Sequence, residues 1–556
     1  MADAVDAVTE ATAKLVLDDV TGEMVSKNEL KKRTQKERKK ATNEKAKAAA
    51  AAAASSQDSN KQNKQNAPKP KSKQEESVID ADAIFKLGFL DDVYKERPTK
   101  PVVTRFPPEP NGFLHIGHAK AICVNFGFAK YHGGKTFLRM DDTNPEAEEE
   151  KYFVAIEEMV HWLGFTPNAV TYSSDNFQKL YDLAEKLIEL EKAYVCHCND
   201  EEIKAQRGGE NHGPRFRCAH AESSVEDIDD GNPQMWDLAA FGVYEPMQRE
   251  YGRLSITGTV LSKRKIMKLV EGGIVKGWDD PRLFTLIAIK RRGVPPGAIV
   301  EFVSELGVTT APSVIQISRF EQTVRRYLER TVPRLMLVLD PVPVIIEDAE
   351  EIEVDVPFSP KNPEMGSHKL KFTPTVYIDR SDFREVDSKD YFRLAPNKTV
   401  GLLQAPYPIK AVSFAKDEAT GQVTEVRAVF DKETKKPKTF IQWVPSDSRE
   451  VEVRIHNSLF KSEKPDDAEG GYLNDLNPES EVIYPKAMIE SGFGEVKARA
   501  PWPEAAGESE LGKGGLESVR FQGMRVAYFA VDPVDSTDSK VVLNRIVSLK
   551  EDAGKS

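Results

Sequence analysis

The stretch VVTRFPPEPNGFLHIGHAKAICVNFGFAKY, residues 102–131, decides the fold that we expect for this chain. Its start is β-prone, its middle is rich in proline and glycine, and its end repeats apolar residues at helical spacing. It therefore predicts a strand over Val102–Phe106, a turn over Pro107–His115 and a helix from about Gly117. A strand, a phosphate-sized loop and a helix in this order are typical of a nucleotide-binding α/β fold.

The turn carries residue types that suit a nucleotide. Gly112 and Gly117 have no Cβ, so a bulky planar ligand can approach the backbone there. The free N–H groups and the positive dipole end of the helix suit an anionic phosphate. His115 and His118 would add ring nitrogens to the same pocket. On spacing alone, these histidines could also be metal ligands or plain polar residues at a helix start.

The length and composition favour a multidomain protein of a reducing compartment. The chain has 556 residues, enough for two to four domains, and its four cysteines do not make a disulfide framework. It has no apolar run long enough for a transmembrane helix, and the start MADAVDAVTE lacks a signal or transit pattern. We therefore expect a cytoplasmic protein with no membrane partner.

The net charge of -11 conceals a basic N-terminal arm. Residues 26–47 hold ten Lys/Arg against three Glu, and a capping box at Ser26–Glu29 predicts a helix without an apolar stripe. This arm either grips RNA phosphates without sequence preference or is a solvated charged face. Residues 55–76 read as a disordered linker, so residues 1–78 are expected to form a disordered extension with a Lys-rich helix.

A second motif lies in residues 250–265, EYGRLSITGTVLSKRK. A β-rich run ends there in a compact cationic loop, residues 260–264, that could reach phosphates bound at the first motif. A Lys/Arg/Ser cluster alone is weak evidence, because most such clusters are solvated surface.

The two motifs resemble, in the correct order, the two signatures of the class I aminoacyl-tRNA synthetases. Residues 107–120, PPEPNGFLHIGHAK, are very close to the form of the first signature in the glutaminyl-tRNA synthetases. The resemblance implies that His115 and His118 contact the phosphates in the transition state and that Lys263 holds the departing pyrophosphate. It also implies ATP binding, with Mg²⁺, by Glu109, Pro110, Asn111, His115, Ile116, Gly117, His118, Ala119, Lys120, Ala121, Arg253, Leu254, Leu261, Ser262 and Lys263.

An acidic residue follows the next expected strand. Residues 138–151, LRMDDTNPEAEEEK, predict a strand end that runs into a capped helix, so Asp141 would lie at the carboxyl edge of the sheet. Without the resemblance, Asp141 would be read as a helix cap. With it, Asp141 is expected to hold the ammonium group of the amino acid, and Arg105 and Gln248 to shape the side-chain pocket.

The cysteines cluster in one region. Cys196 and Cys198 precede Cys218 and His220, and such pairs could ligate zinc, although Cys-x-Cys is tighter than the usual spacing. Free thiols in a polar loop are the favoured interpretation, and a structural zinc is possible but not favoured. No other metal ligands are expected.

The C-terminal half changes from helices to short strands. Residues 278–308 predict two helices, with Asp279 and Asp280 capping the first, Gly293 ending it and Pro295–Pro296 opening the second. From about Leu337 the strands alternate at close spacing, which predicts an all-β region of small barrels.

The resemblance assigns this β region to the tRNA anticodon. Residues 364–367 and 377–385 match that part of the family, and Gln522 and Arg525 would read splayed bases through a planar amide and guanidinium. We thus expect an α/β plus all-β protein: a Rossmann-like catalytic domain over residues 79–277, a helical connecting region over 278–336 and anticodon-binding β-barrels over 337–556.

The resemblance is interrupted in the catalytic domain. In the family, an acceptor-stem insertion and the second half of the nucleotide-binding sheet separate the two signatures, whereas here residues 230–241 lead directly into residues 242–254. The missing part includes a YPTYDFTH-type segment whose tyrosine contacts the amino acid, and amounts to about two βαβ units or more. We expect a parallel sheet with an unpaired edge and an incomplete amino-acid pocket. A splicing or gene-model artefact and a non-catalytic variant both remain open.

The activity that the resemblance implies is ATP-dependent ligation of glutamine to tRNA(Gln), in doubt for this shortened chain. Three alternatives remain. A glutamyl synthetase usually has Ala-Ser where this chain has Pro110–Asn111, so these two residues favour glutamine. A non-catalytic tRNA-binding protein would share every feature outside the missing segment. A nucleotidyltransferase of the same superfamily would lack the β-barrels. Association with other synthetases or the translation machinery is possible.

Overall fold

The computed structural model describes residues 15–17, 24–26, 81–86, 89–96, 101–190, 198–209, 214, 247–434, 436–503 and 514–549. The chain divides into two compact units, Met1–Ser77 and Val78–Ser556. No helix in these ranges is both long and apolar enough to cross a membrane.

The first unit contains a short antiparallel hairpin of strands β1 (Leu15–Leu17) and β2 (Met24–Ser26). The sequence did not predict this hairpin, because three residues are too few to establish an alternating pattern. Beyond Ser26, the basic arm and the linker that the sequence predicts lie outside the described residues.

The second unit begins with alternating helices and strands. They are a 3-10 turn (Ala81–Phe85), α1 (Phe89–Glu96), β3 (Val103–Phe106), α2 (Ile116–Tyr131), β4 (Lys135–Met140), α3 (Glu150–Trp162), β5 (Val170–Tyr172), α4 (Phe177–Glu189), α5 (Asp200–Gln206), β6 (Leu254–Ile256), α6 (Lys263–Glu271), α7 (Leu286–Arg291), α8 (Pro296–Leu306), β7 (Ser313–Ile315) and α9 (Ile317–Thr331).

The nucleotide-side strands form two separate parallel sheets. β3, β4 and β5 lie side by side in that order, and β6 pairs with β7. The predicted strand, loop and helix of residues 102–131 are confirmed, because β3 leads through an irregular turn into α2. The described residues contain no strand that joins the two sheets.

The alternative interpretation of Asp141 as a helix cap gains no support, because Asp141 follows β4 directly and α3 begins only at Glu150. The cap predicted for the first helix of the connecting region is wrong. Asp279 and Asp280 do not cap α7, whose N-cap is Thr285 with its hydroxyl accepting from the Ala288 N–H. Asp280 instead accepts hydrogen bonds from its neighbours in the preceding turn, Lys276 N–H and the Arg282 guanidinium.

Two other predictions for the connecting region are confirmed. Gly293 follows the end of α7 with a φ of 95°, and Pro296 is the first residue of α8. A left-handed glycine just past a helix end and a proline at the first helical position are the usual stop and start signals.

The C-terminal part is the predicted all-β region. Its elements are β8 (Arg334–Leu335), β9 (Leu337–Val338), β10 (Pro341–Ile346), β11 (Ile352–Pro357), β12 (Ser367–Phe372), β13 (Thr375–Asp379), β14 (Thr399–Leu402), β15 (Ile409–Lys416), β16 (Val423–Phe430), β17 (Phe440–Ile441), β18 (Val444–Pro445), β19 (Arg449–His456), β20 (Glu481–Ile489), α10 (Phe493–Ala498), β21 (Arg520–Gly523), β22 (Ala527–Val531) and β23 (Val542–Ser548).

These strands build two seven-stranded, barrel-like sheets. The first has the order β17-β14-β15-β16-β10-β13-β18 and the second β8-β21-β22-β23-β19-β20-β9, while β11 and β12 form a separate hairpin. One hydrophobic core extends from Phe106 in β3 through Phe302 in α8 to Phe529 in β22. The second sheet is thus packed continuously with the nucleotide-binding region.

A buried ionic network reinforces this packing. The Arg291 guanidinium at the end of α7 contacts the fully buried carboxylate of Asp532, with Nε and Oδ2 3.1 Å apart. Asn544 in β23 donates to the same carboxylate at 2.7 Å. Because a buried carboxylate is costly unless it is paired, these contacts fix the connecting helices against the second sheet.

We expect Asp532→Ala to lower the free energy of unfolding by about 1–3 kcal/mol, because the buried Asn544 amide and part of the Arg291 guanidinium lose their acceptor. Asp279 and Asp535 still pair with Arg291 in this variant, so its charge stays compensated. Glu329→Ala is the matched control: Glu329 pairs with Lys361 where both side chains are exposed, and such pairs contribute about 0–1 kcal/mol. Urea denaturation followed by circular dichroism measures both. Equal losses in the two variants would contradict the structural role of the network.

Candidate nucleotide site and nucleic-acid interface

Two histidines cap the start of α2. His115 is the N-cap residue, and its Nδ1 accepts the Gly117 N–H at 3.1 Å. The Nδ1 of His118 accepts the His115 N–H, also at 3.1 Å. The pair forms a capping box made of imidazoles, with ring centroids 4.0 Å apart. The helix start therefore holds both rings in fixed orientations.

Both imidazoles are neutral at physiological pH. Burial, together with the nearby charge of Lys263, lowers the pKa of His115 to about 4. Burial, followed by the charges of His115 and Lys263, lowers the pKa of His118 to about 3. Because each Nδ1 accepts a backbone N–H, each neutral ring carries its proton on Nε2. The site thus offers two Nε2–H donors.

Lys263 brings the second motif to the first. It is the first residue of α6 rather than part of an irregular loop, and its Nζ donates to Asn111 Oδ1. Asn111 Nδ2 in turn donates to Glu109 Oε2 at 2.8 Å. Burial lowers the pKa of Lys263, while Glu109 acts in the opposite direction. An ammonium, an amide and a carboxylate therefore connect the two signatures directly.

Gly112 makes this approach possible. A Cβ on Gly112 would lie 2.8 Å from Lys263 Cδ, so any larger residue would displace the lysine stem. Gly117 is similarly confined, since a Cβ there would lie 3.0 Å from the carbonyl oxygen of Leu254. The glycines expected from the sequence to admit a ligand thus also admit the second motif itself.

Lys120 holds the second motif against α2. Its side chain is 2% exposed, and its Nζ donates to the Gly252 carbonyl at 2.8 Å. The sequence suggests Lys120 as an ATP ligand, whereas this geometry favours a positioning role for its ammonium. The helical spacing in the sequence indicates this burial. Lys120 lies four residues after Ile116 and three before Cys123, so the three side chains share the buried face of α2.

The connecting region also supports the signature loop. The Ile116 N–H donates to the Phe284 carbonyl at 3.1 Å, and the Leu286 N–H donates to the Leu114 carbonyl at 2.7 Å. The hydroxyl of the buried Thr285 donates to the Trp278 carbonyl at 2.6 Å. Sequence reasoning missed this support, since no local pattern marks a bridge between segments so far apart.

The other residues suggested for ATP surround these contacts in two groups. Some have buried side chains, so only their backbone could face a nucleotide: Pro110, Ile116, Ala119 and Leu254. Others are half-buried or exposed around the same loop and helix starts: Ala121, Arg253, Leu261 and Ser262. Their contacts with ATP stay predictions.

The residues suggested for the amino acid are only partly assembled. Asp141 Oδ1 accepts from Ser173 Oγ at 2.8 Å and from Arg139 Nη2 at 3.2 Å. Arg105 lies on β3 within electrostatic reach of both Arg139 and Asp141; desolvation and then Arg139 lower its pKa, and Asp141 raises it. Gln248 is exposed in an irregular segment. Two of the three residues thus share one edge of the sheet.

The possible zinc cluster is largely outside the described residues, which include Cys198 but not Cys196, Cys218 or His220. Cys198 Sγ accepts from Gln206 Nε2 at 3.3 Å. Within the described ranges, no group of three or more His, Cys, Asp or Glu side chains is placed to hold a metal ion. The zinc interpretation therefore gains no support.

The residues suggested for the anticodon lie on and just after β21. Gln522 pairs in register with Arg334 of β8 and with Tyr528 of β22. Arg525 is exposed, has a φ of 60°, and donates from Nη1 to the Phe440 carbonyl at 3.0 Å. Its guanidinium therefore links the second barrel-like sheet to the edge strand of the first.

Comparison with known families agrees with this arrangement. Residues 101–228 and 217–330 match the family described as "tRNA synthetases class I (E and Q), catalytic domain". Residues 332–431 and 440–501 match two families, each described as "tRNA synthetases class I (E and Q), anti-codon binding domain". Together these matches cover most of the chain, include both nucleotide motifs and the first barrel-like sheet, and extend into the second sheet as far as residue 501.

Three similar proteins are named as glutamine–tRNA ligases. The chain is 56% identical to "Glutamine--tRNA ligase protein virJ" of Hypocrea virens, over 99% of this chain and 100% of that protein. It is 47% identical to "Probable glutamine--tRNA ligase" of Schizosaccharomyces pombe, over 82% of this chain and 67% of that protein. The identity to "Glutamine--tRNA ligase" of Saccharomyces cerevisiae is 44%, over 85% and 73%.

The alignment with the Hypocrea virens protein spans 652 positions, whereas this chain has 556 residues, so at least 96 positions have no counterpart here. The catalytic-domain match is also divided, and its two pieces meet at residues 217–228. With a class I catalytic domain joined to anticodon-binding barrels and relatives of this identity, the chain belongs to the glutamine–tRNA ligase family of class I tRNA synthetases.

Proposed function

We propose that this chain activates glutamine with ATP and transfers it to tRNA(Gln), and that in its present form it does so poorly. The observation that carries the first half is the contact of Lys263 with Asn111, which joins the two class I signatures at one helix start. The expectation of poor activity rests on the amino-acid pocket, whose proposed residues are only partly assembled.

The reaction has two steps that need no enzyme nucleophile. A carboxylate oxygen of glutamine attacks the α-phosphorus of ATP, and the bond to the bridging oxygen of pyrophosphate breaks. A terminal ribose hydroxyl of tRNA then attacks the carbonyl carbon of the adenylate, and AMP leaves. Both attacking oxygens belong to the substrates, so catalysis consists of positioning and charge stabilisation. ATP would enter as its Mg²⁺ complex.

The described side chains suit the first step. The Nε2–H donors of His115 and His118 can stabilise charge that develops on the phosphate oxygens without adding full positive charges of their own. Lys263 supplies the full charge, and its ammonium is positioned to neutralise the departing pyrophosphate. Its depressed pKa reflects partial burial, which also strengthens its attraction to phosphate.

Selection of glutamine is the weak step. Asp141 is positioned to bind the ammonium group of the substrate, but Gln248 is exposed and the three-stranded sheet β3–β5 stands apart from β6–β7. The length of the alignment with the Hypocrea virens protein and the division of the catalytic-domain match both support the loss of an internal segment between the two nucleotide motifs. A pocket that lacks one wall discriminates poorly, because recognition depends on pairing each buried polar group.

Pro110–Asn111 and the names of the relatives favour glutamine over glutamate. The anticodon-binding matches disfavour a nucleotidyltransferase. The second candidate is a tRNA-binding protein without charging activity, which the incomplete pocket favours. Relatives include a cytoplasmic glutamine–tRNA ligase of Arabidopsis thaliana, and we propose a cytoplasmic location for this chain. Association with other synthetases stays a prediction.

The neutral histidines predict a pH dependence of stability. Because the folded-state pKa values of His115 and His118, about 4 and about 3, lie below the ordinary value of 6.5, the unfolded chain binds more protons between these limits. Their contribution to stability is complete above pH 6.5 and is lost as the pH falls towards 4 for His115 and towards 3 for His118. The urea midpoint should therefore fall more steeply with acidification in the parent than in a His115→Asn/His118→Asn variant.

The buried His456, whose pKa is also about 3, gives both proteins a shared residual slope. Identical pH profiles for parent and double variant would contradict the neutral assignment, as would imidazole resonances of His115 and His118 that titrate near 6.5.

Charging of tRNA tests the proposed function. The purified chain and a version that carries the absent segment of the Hypocrea virens relative should be assayed for glutamine attachment to tRNA(Gln). We expect the restored protein to be more than about tenfold faster, a barrier difference above about 1.4 kcal/mol. Rates within tenfold would show that the segment is dispensable, and no charging by either protein would favour the tRNA-binding candidate.

A further inference from the structure

Two phenylalanine rings are exposed close to the predicted anticodon residues. Phe392, between β13 and β14, is 50% exposed, and Phe440, in the edge strand β17, is 48% exposed. Exposed rings on a sheet edge carry a hydrophobic cost and an aggregation risk unless a partner covers them. Both lie in the part of the chain that matches anticodon-binding domains, between residues 332 and 501.

A series of contacts links the two rings and places them on one surface. Arg525 Nη1 donates to the Phe440 carbonyl at 3.0 Å, and its Nη2 lies 3.7 Å from Asp382 Oδ1. Arg393 Nη1, adjacent in sequence to Phe392, lies 3.1 Å from the same Asp382 oxygen. Lys438, two residues before Phe440, links the two segments a second time, because its Nζ lies 6.0 Å from the centre of the Phe392 ring.

The charge around the rings is positive. Lys398 Nζ also lies 6.0 Å from the Phe392 centroid, while bonding to Asp387 and to the Tyr391 carbonyl. Four cations, Lys398, Lys438, Arg393 and Arg525, therefore face two carboxylates, Asp382 and Asp387. Asp382 is 4% exposed, so its charge is largely withdrawn from the surface, and Lys438 is exposed.

The Phe440 ring is held in place before any ligand binds. Phe440 pairs in register with Gly401 of β14, and a Cβ on Gly401 would lie only 2.5 Å from Phe440 Cδ1 and 2.8 Å from Pro437 Cγ. The ring thus packs on the bare backbone of a neighbouring strand. A fixed ring loses little conformational freedom when a planar ligand stacks on it.

Exposed aromatic rings bordered by lysine and arginine are the arrangement that binds single-stranded nucleic acid, since bases stack on the rings while cations meet the phosphates. We propose that Phe392 and Phe440, with Lys398, Lys438 and Arg525, form a stacking platform for unstacked bases of the tRNA anticodon loop. Arg525 then frames the platform as well as facing a base. The proposal rests on the tRNA-binding part of the proposed function.

The test is equilibrium binding of a tRNA(Gln) transcript to the full chain at several salt concentrations. Phe392→Ala should weaken binding by about tenfold or more, because a stacked base is lost, and leave the salt dependence unchanged. Lys438→Gln should weaken binding and flatten the log–log salt slope by about 0.7, the value for one single-strand phosphate contact. Val534→Ala, at a 61% exposed position in the turn between β22 and β23, is the control and should bind normally.

A second variant separates stacking from folding. Phe392→Trp should keep the affinity, and its fluorescence should be quenched when the transcript binds, whereas the fluorescence of Val534→Trp should not change. Normal binding by Phe392→Ala, or a Phe392→Trp signal that ignores the transcript, would overturn the platform alone. Failure of the unsubstituted chain to bind tRNA(Gln) at all would overturn the tRNA-binding function and the platform with it.

Discussion

One buried hydrogen bond, from Lys120 Nζ to the Gly252 carbonyl, joins two segments that are 132 residues apart in the chain. A buried ammonium is unfavourable unless its donors are used, so this contact has little freedom to shift. It fixes Gly252 against α2. Two residues later Leu254 begins β6, and the chain then reaches Lys263 at the start of α6. The position of Lys263 beside Asn111 depends on that anchor.

The two segments that this hydrogen bond joins contain the residues that we propose for the phosphates of ATP. The phosphate side needs a helix start, two imidazoles and one ammonium, and all of these lie within the two anchored segments. We propose that the amino-acid side also needs residues between the two parallel sheets, and in the described part of the chain no strand joins these sheets. The loss of an internal segment can therefore remove specificity for the amino acid while sparing the geometry for ATP.

The sequence predicted most of what is local. Strand β3, the glycine turn, helix α2 and the alternating strands after Leu337 all follow from periodicity and turn chemistry within windows of a few residues. The wrong helix cap has a local cause, because Asp280 accepts hydrogen bonds from the Lys276 N–H and the Arg282 guanidinium in its own turn. Contacts between distant segments could not be predicted from local patterns. The hydrogen bond from the Lys120 ammonium to the Gly252 carbonyl is one of them, and contact of Lys120 with ATP stays a prediction. The hydrogen bond from Arg525 to the Phe440 carbonyl likewise cannot be predicted from the sequence around either residue.

We expect the two signatures to form one working ATP site without the missing segment, and calorimetric titration of MgATP into the chain measures this binding. Binding should be saturable, and Lys263→Ala should weaken it by at least about tenfold, the loss of roughly 1.4 kcal/mol of electrostatic stabilisation. Lys276→Ala, which removes an exposed lysine paired with Glu481, should leave the affinity unchanged. An absence of binding by the unsubstituted chain, or equal affinities for all three proteins, would show that Lys263 and the first signature do not form such a site.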